Sequence, residues 1–242
     1  MEYLFNIGNT NTQYAALVEG QLGEVRYCRT AELDFERFAA DDGLIVSTVV
    51  PAIRSRFGQR RVFDLGIGHA AAAGLDLSKV DASTLGADRL ANAIMLARSP
   101  ERLPAVAIDF GTAITLEVVD RDRCFRGGAI LPGRALMRRA LHSGTAQLPE
   151  LPLVEQLPGE PGRDTAGSML FGIDRGAVGA VRELLAVLEN EFGSDLRKVA
   201  TGGDAGFFCR AMPELEPASE TFTLDGLLAA YRAFCCKSPF FA

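Results

Sequence analysis

The chain has 242 residues, 48% of them hydrophobic and 23% charged, with a net charge of −6 and a pI near 5.1. That is enough apolar material for one large core or two smaller ones, and the acidic balance argues against a protein that neutralises a nucleic-acid backbone. No apolar run approaches the ~20 residues needed to span a bilayer, and no basic segment with an apolar core and cleavage site opens the chain, so a cytoplasmic protein engaging neither membrane nor nucleic acid is expected.

The first elements form a β-meander. "YLFNIG" is a strand ending in the Gly8-Asn9-Thr10-Asn11 turn, "TQYAALVEG" returns, and a third strand falls near "EVRYCRT". "AELDFERFAA" has helical spacing, "GLIVSTVV" is a buried strand stopped by Pro51, and "PAIRSRFGQ" starts a helix with proline in its first turn. The basic cluster "RSRFGQRR" at 54–61 reads as a solvated face. "GADRLANAIMLAR" at 86–98 is a strong helix, with Leu90, Ile94, Met95 and Leu96 near the 3.6-residue period and Asp88 in the N-terminal turn.

Pro100 and Pro104 punctuate the chain before a second meander, "AVAIDF", "AITLEVVD" and "CFRGGAILPG", so the expected domains are 1–103 and 104–242. A Pro-rich loop at 148–162 precedes the long helical stretch from Thr165, "KVATGGDAGFF" is a strand running into a glycine turn, and "LDGLLAAYRAFC" is a closing helix. The five cysteines, Cys28, Cys124, Cys209, Cys235 and Cys236, are odd in number and lack CxxC spacing, which indicates reduced thiols rather than a disulfide framework or zinc site. His69 and His142 stand far apart without partner patterns.

The strongest organisational signal is a repeat. Asn6 to Ala16 aligns with Asp109 to Val119, glycine on glycine at Gly8 and Gly111, implying two related halves. A strand ending in a polar residue and then turning through glycine sets backbone N–H groups and short hydroxyls around a small concavity, with the polar group beside it. That space suits phosphate and a hydrated cation. Glycine allows close backbone approach, and Asn9, Thr10, Asn11, Thr112 and Thr115 supply donors. A third turn, "TGGDAG" at 201–206, offers a flat glycine surface for an adenine. Neither GxxxxGK[ST] nor GxGxxG follows a strand, so Walker-type and dinucleotide sites are poor accounts.

Two meanders, two phosphate turns and a Gly-Gly turn resemble the superfamily of acetate and sugar kinases, actin and chaperone ATPases. The resemblance implies an α/β fold of two ribonuclease-H-like domains, each a mixed five-stranded sheet flanked by helices, with the nucleotide gripped by the two halves. Within it, "IGNTNT", "STVVP", "LGADRLANA", "IDFGTAIT", "GGAILPG", "TGG" and "LDGLLAAY" fall in the order and spacing of type III pantothenate kinases, over nearly the whole chain. That family transfers the γ-phosphoryl group of ATP to the terminal hydroxyl of pantothenate, the first step of coenzyme A synthesis.

The resemblance implies roles residue by residue. Asp88 is the proton acceptor, with Gly86, Ala87 and Arg89 holding pantothenate; a helix N-terminus bearing an arginine independently suits an anionic substrate. The stretch Asn6, Ile7, Gly8, Asn9, Thr10, Asn11, Thr12 and Gln13 is the first ATP loop, Thr112 is an ATP contact, and Asp109 is a ligand of a monovalent cation, K⁺ or NH₄⁺, alongside Mg²⁺. Thr165 matches a threonine contributed to pantothenate across a dimer interface, implying a homodimer; read locally, it is equally a cap for the helix that follows.

Two positions depart from the pattern. Asn6 stands where the family has aspartate, and Lys79 where it has tyrosine. The amide keeps the carboxylate's shape without its charge; Lys79 either packs its stem in the tyrosine's place or pairs with the substrate carboxylate. A weakened relative that binds nucleotide or a metabolite and acts through a partner is therefore an alternative to the kinase. A generic sugar or acetate kinase is disfavoured by the pairing of "GADR" with "DFGTA".

Overall fold

The structure, a computed structural model, describes residues 1–235. Eleven strands and five α-helices are described: β1 (Glu2–Ile7), β2 (Asn11–Val18), β3 (Gln21–Leu22), β4 (Arg26–Arg29), β5 (Gly43–Thr48), β6 (Val62–Asp64), α1 (Ala87–Ala97), β7 (Ala105–Phe110), β8 (Ala113–Val119), β9 (Phe125–Pro132), α2 (Arg134–Ser143), α3 (Thr165–Phe192), β10 (Arg197–Thr201), α4 (Ala205–Ala211), β11 (Glu216–Pro217) and α5 (Phe222–Cys235). They form two compact units, each with its own mixed sheet.

The first unit comprises Met1–Leu103, Val119–Arg126 and the segment from Glu220. Its sheet runs β3-β2-β1-β5-β6, with β4 also paired to β2, so it has six strands where five were expected. β1 is antiparallel to β2 and parallel to β5, in a register that sets Asn6 opposite Gln13 on one side and Ser47 on the other. Alternation along β1 sends Phe5 and Ile7 into a cluster with Leu33, Phe35, Ile53 and Phe57. Leu4 and Asn6 share the opposite face by the same alternation, and α1 and α5 pack against β1 and β5. Two expected helices are short 3₁₀ segments instead. "AELDFERFAA" gives 3₁₀ turns at Thr30–Glu32 and Phe35–Arg37, the second capped by Asp34, and Pro51–Arg56 is also 3₁₀. An i,i+3 spacing is enough to turn Phe35 and Phe38 toward Phe5, and Pro51 supplies no N–H to extend a helix backward.

The sequence assigns everything after residue 103 to one C-terminal domain, yet two later segments lie in the first unit. Val119–Arg126 joins it through Asp76, whose N–H donates to the Arg123 carbonyl at 3.0 Å and whose carbonyl accepts from Phe125 N at 2.8 Å. α5 joins it by close helix packing: a Cβ on Gly226 would be driven into the Ala91 carbonyl of α1, and the buried Thr223 hydroxyl donates to Asn92 Oδ1 at 2.8 Å.

The second unit holds the rest of the chain from Pro104. Its five strands run β11-β10-β7-β8-β9, with β10 parallel to β7 and Thr201 in register with Asp109. Val106, Ile108 and Phe110 from β7 meet the Ala177, Val178, Val181 and Leu185 stripe of α3 and Phe207 and Phe208 of α4. Each fully buried Val, Leu or Phe in such a core contributes about 1.5–3 kcal/mol, which is what holds a 28-residue helix whose outer face is polar.

Candidate active site

In the first unit, β1 delivers the opening glycine turn. Gly8 N donates to the Asn11 carbonyl at 3.0 Å, closing the turn. Thr30 braces it from β4's end: its hydroxyl donates to the Gly8 carbonyl at 2.7 Å, its N–H donates to the Thr10 carbonyl, and Thr12 Oγ1 lies 3.0 Å from Thr30 Oγ1. Thr12 is fully buried, so its hydroxyl supports the turn from within, and Ile7 offers only backbone because its side chain is in the core. Asn9 and Asn11 are exposed. The Gln13 amide donates to Tyr27 Oη at 3.0 Å and to the Glu220 carbonyl at 2.7 Å. Asn6 is different: its Oδ1 is buried and accepts no hydrogen bond from the protein, and the Oγ of its register partner Ser47 is in the same condition. A buried acceptor left unpaired costs about 1–3 kcal/mol, so this pair of oxygens is held ready at a price in stability.

The same unit carries the helix N-terminus of the "GADR" motif. Gly86 is the N-cap and Asp88 sits in the first turn of α1, where Oδ1 accepts the Arg89 backbone N–H at 2.7 Å. Burial pushes the Asp88 carboxyl above its ordinary value, opposed by the Arg89 N–H and charge. Gly86 is required for this placement, since a Cβ there would stand 2.7 Å from Asp88 Oδ1 and 3.2 Å from Val49 Cγ1. Ala87 is buried and Arg89 half-buried. Lys79 is exposed, beside Asp76.

In the second unit three turns converge. Asp109 ends β7, and the turn that follows closes through Gly111 N to the Ala113 carbonyl at 3.0 Å, leaving Thr112 exposed. A Cβ on Gly133 would be driven into the Gly111 carbonyl, and one on Gly202, whose φ is +90°, into the Asp109 carboxylate. Gly133 N donates to the Thr112 carbonyl and Asp204 N to the Phe110 carbonyl, both at 3.0 Å. A Cβ on Gly203 would meet nothing within 4 Å, which leaves one open glycine face beside this packed centre. Thr165 begins α3 with its side chain exposed; the cap is Asp164, which accepts the Gly167 N–H at 2.7 Å, so the threonine hydroxyl is not spent on capping.

These turns, in this order on two mixed sheets, match one family in particular: a model of type III pantothenate kinases covers residues 3–187. The chain belongs to that family. A type III pantothenate kinase from Rhodospirillum rubrum is 35% identical over 93% of this chain and 95% of its own length, and one from Caulobacter vibrioides is 37% identical over 81% and 77%. Among solved structures, a Campylobacter jejuni protein described as a Baf family transcriptional activator superposes with a TM-score of 0.63 at 18% identity, covering 95% of this chain and 97% of that one, and this likeness bears on the fold alone. That likeness agrees with a fold of two mixed sheets flanked by helices.

Two features of the family member were not expected from its sequence. α2 is one, although Leu136, Met137, Ala140 and Leu141 follow Gly133 at helical spacing and would have marked it. The other is a buried group of charges, Arg134 and Arg138 on α2, Asp174 on α3 and Asp204 after β10. No local pattern announces it, because its ion-paired partners lie 36–70 residues apart. Among the described residues no helix is long and apolar enough to cross a membrane, and Cys28, Cys124 and Cys209 are free; Cys236 lies outside the described residues.

Proposed function

We propose that this chain transfers the γ-phosphoryl group of ATP to the terminal hydroxyl of pantothenate, in the cytoplasm, as the first step of coenzyme A synthesis. The observation that carries the reading is Asp88: a partly desolvated carboxyl with a raised pKa, set at a helix N-terminus behind a glycine whose added Cβ would press on its Oδ1. A binding protein gains nothing from an acceptor held in this way. A kinase needs one for the hydroxyl proton, and a more basic carboxylate accepts it better. Arg89 and the α1 N-terminus, with Gly86 and Ala87, suit the pantothenate carboxylate and amide. Asn6 to Gln13 and Thr112 take the phosphates, by backbone N–H groups and exposed side chains rather than through Ile7 or Thr12.

Among the described residues no three acidic, histidine or cysteine side chains cluster as a metal cage. That fits Mg²⁺, which keeps its waters and relies on phosphate oxygens, with the unpaired Asn6 Oδ1 suited to accept from a coordinated water. Bound there, the ion would neutralise charge on the phosphates. Asp109 is suited to a monovalent cation, K⁺ or NH₄⁺, through its carboxylate at the crowded β7 end.

The working form is a homodimer. α2 and α3 frame a groove of about 990 Å³ lined by Leu136, Met137, Leu141, Met169 and Ile173, with Thr165 on its rim. Leu136 and Leu141 are exposed, and a second copy on this face would cover them and receive the uncapped Thr165 hydroxyl at its own site.

ADP release with pantothenate, ATP, Mg²⁺ and K⁺ tests the reading. Turnover in the native chain that disappears in Asp88→Ala supports it. A native chain that binds ATP yet releases no ADP, or an Asp88→Ala variant as fast as the native one, overturns it.

A further inference from the structure

Four charged side chains of the second unit, three of them buried, form a chain of ion pairs. Arg134 Nε donates to Asp174 Oδ1 at 2.9 Å, and its Nη1 donates to both oxygens of Asp204 at 2.8 and 3.0 Å. Nη2 reaches the Val154 carbonyl at 2.8 Å, and the guanidinium lies flat on Phe207, 3.3 Å from the ring centroid. Arg138 Nη2 grips both oxygens of Asp174 at 2.8 and 2.9 Å. Arg134, Arg138 and Asp174 are each at most 1% exposed. Two cations and two anions cancel, which lets the group sit in the core at all.

Stability alone is a poor reason for such a group, because buried ion pairs often do no better than apolar side chains of the same volume. Here the desolvation is visible. It pulls the Arg138 guanidinium below its ordinary pKa and pushes the Asp204 carboxyl up, and Arg138 Nε and Nη1 are left without partners. What the arrangement supplies is direction. Arg134 is the first residue of α2, immediately after the Gly133 that packs on the Gly111–Thr112 turn. Asp204 ends the Gly202–Gly203 turn and is the N-cap of α4, but its carboxylate makes no capping bond there and is taken by Arg134 instead. The fork therefore ties the third turn to the helix that abuts the second.

We propose that Arg134 is a positioning residue for the nucleoside: held by Asp174, which Arg138 in turn holds, it fixes Asp204 and with it the open glycine face on which adenosine rests. The proposal depends on the reading of that face given above, and specifies which residues set its place.

Equilibrium dialysis without pantothenate tests it, using ATP and inorganic tripolyphosphate, which offers phosphates and no nucleoside. In Asp204→Asn, which keeps shape and loses charge, ATP binds about tenfold more weakly while tripolyphosphate binds as it does to the native chain. Arg134→Lys, a cation without the fork, shows the same selective loss. Unchanged ATP affinity in both variants overturns the proposal. So does a loss of ATP and tripolyphosphate in parallel with a lowered Tm, since that is the mark of a merely structural quartet. Because no turnover is needed, a native chain that binds ATP without releasing ADP sinks the kinase reading while this one is still decided by the variants.

Discussion

The two copies of the repeated glycine turn are built to opposite tolerances. In the second unit, Gly133 and Gly202 press so closely on the Gly111 carbonyl and the Asp109 carboxylate that a single added carbon has no room. In the first, the Gly8 position is only snug, with the Asn11 carbonyl 3.1 Å from where a Cβ would stand, and the strand end carries a neutral amide whose oxygen has no partner. The first unit also holds Asp88, whose burial works against its ionisation. One half leaves the oxygens of Asn6 and Ser47 at its first turn without partners; the other locks its turns with steric contact and ties one of them to α2 through a charge quartet. Strain of the first kind is what a reacting group requires, and the cost is met by the packing elsewhere.

Asp88→Asn probes that contrast most strongly. The loss of a proton acceptor lowers kcat by about 10²–10⁴. Stability moves the other way. A carboxyl whose folded pKa lies above its unfolded value carries more protons folded than unfolded in the interval between the two, so stability falls as pH rises through that interval. At pH 7, above the ordinary carboxyl value, the native chain bears that cost, and Asn removes it. Thermal melts therefore show a higher Tm for Asp88→Asn at pH 7 and no gain at pH 3, below the ordinary carboxyl value of about 3.9. A lower Tm at pH 7 would show that the ionised carboxylate stabilises α1 after all.

Asn6→Asp restores a charge to the looser turn. At ~4 Å and an effective dielectric of ~20, one carboxylate attracts a cation by about 4 kcal/mol, an upper bound of roughly a thousandfold in rate with Mg²⁺. Because the Asn6 oxygen has no protein partner, a carboxylate there is uncompensated in the free chain. Steady-state kinetics with Mg²⁺ should show faster ADP release, and melts should show a lower Tm without nucleotide that MgATP recovers. A rate no higher than that of the native chain would mean that the amide already serves fully.

Much of this was readable in the sequence where the signal is local. The repeat of Asn6 to Ala16 at Asp109 to Val119 survives because glycine, a polar strand end and short hydroxyls are each fixed by one turn's geometry. α1 and α3 announce themselves by periodicity. What escaped is nonlocal. α5 belongs to the first unit only because Gly226 allows it onto Ala91, 135 residues back in the chain (226 − 91). The quartet assembles from three segments, and Thr12, part of the ATP loop that the resemblance implies, turns inward because Thr30 is there to meet it. The short turns at Phe35–Arg37 and Pro51–Arg56 carry apolar spacing that a helix would share, and only their length distinguishes them.

The smallest effect separates the turns themselves. Gly202→Ala forces a Cβ into the Asp109 carboxylate at a residue with φ of +90°, so both the backbone and that carboxylate must move; ATP affinity, read by dialysis, falls about tenfold and Tm drops. Gly8→Ala meets one carbonyl at 3.1 Å at a residue outside the left-handed region, and a shift of a few tenths of an ångström relieves it. Its ATP affinity stays within about twofold of the native value, because the brace of Thr30 on the Gly8 and Thr10 carbonyls does not depend on the missing Cβ. Equal losses in the two variants would show that the first turn is as tightly specified as the second, and that its unpaired oxygen reflects packing rather than readiness for a ligand.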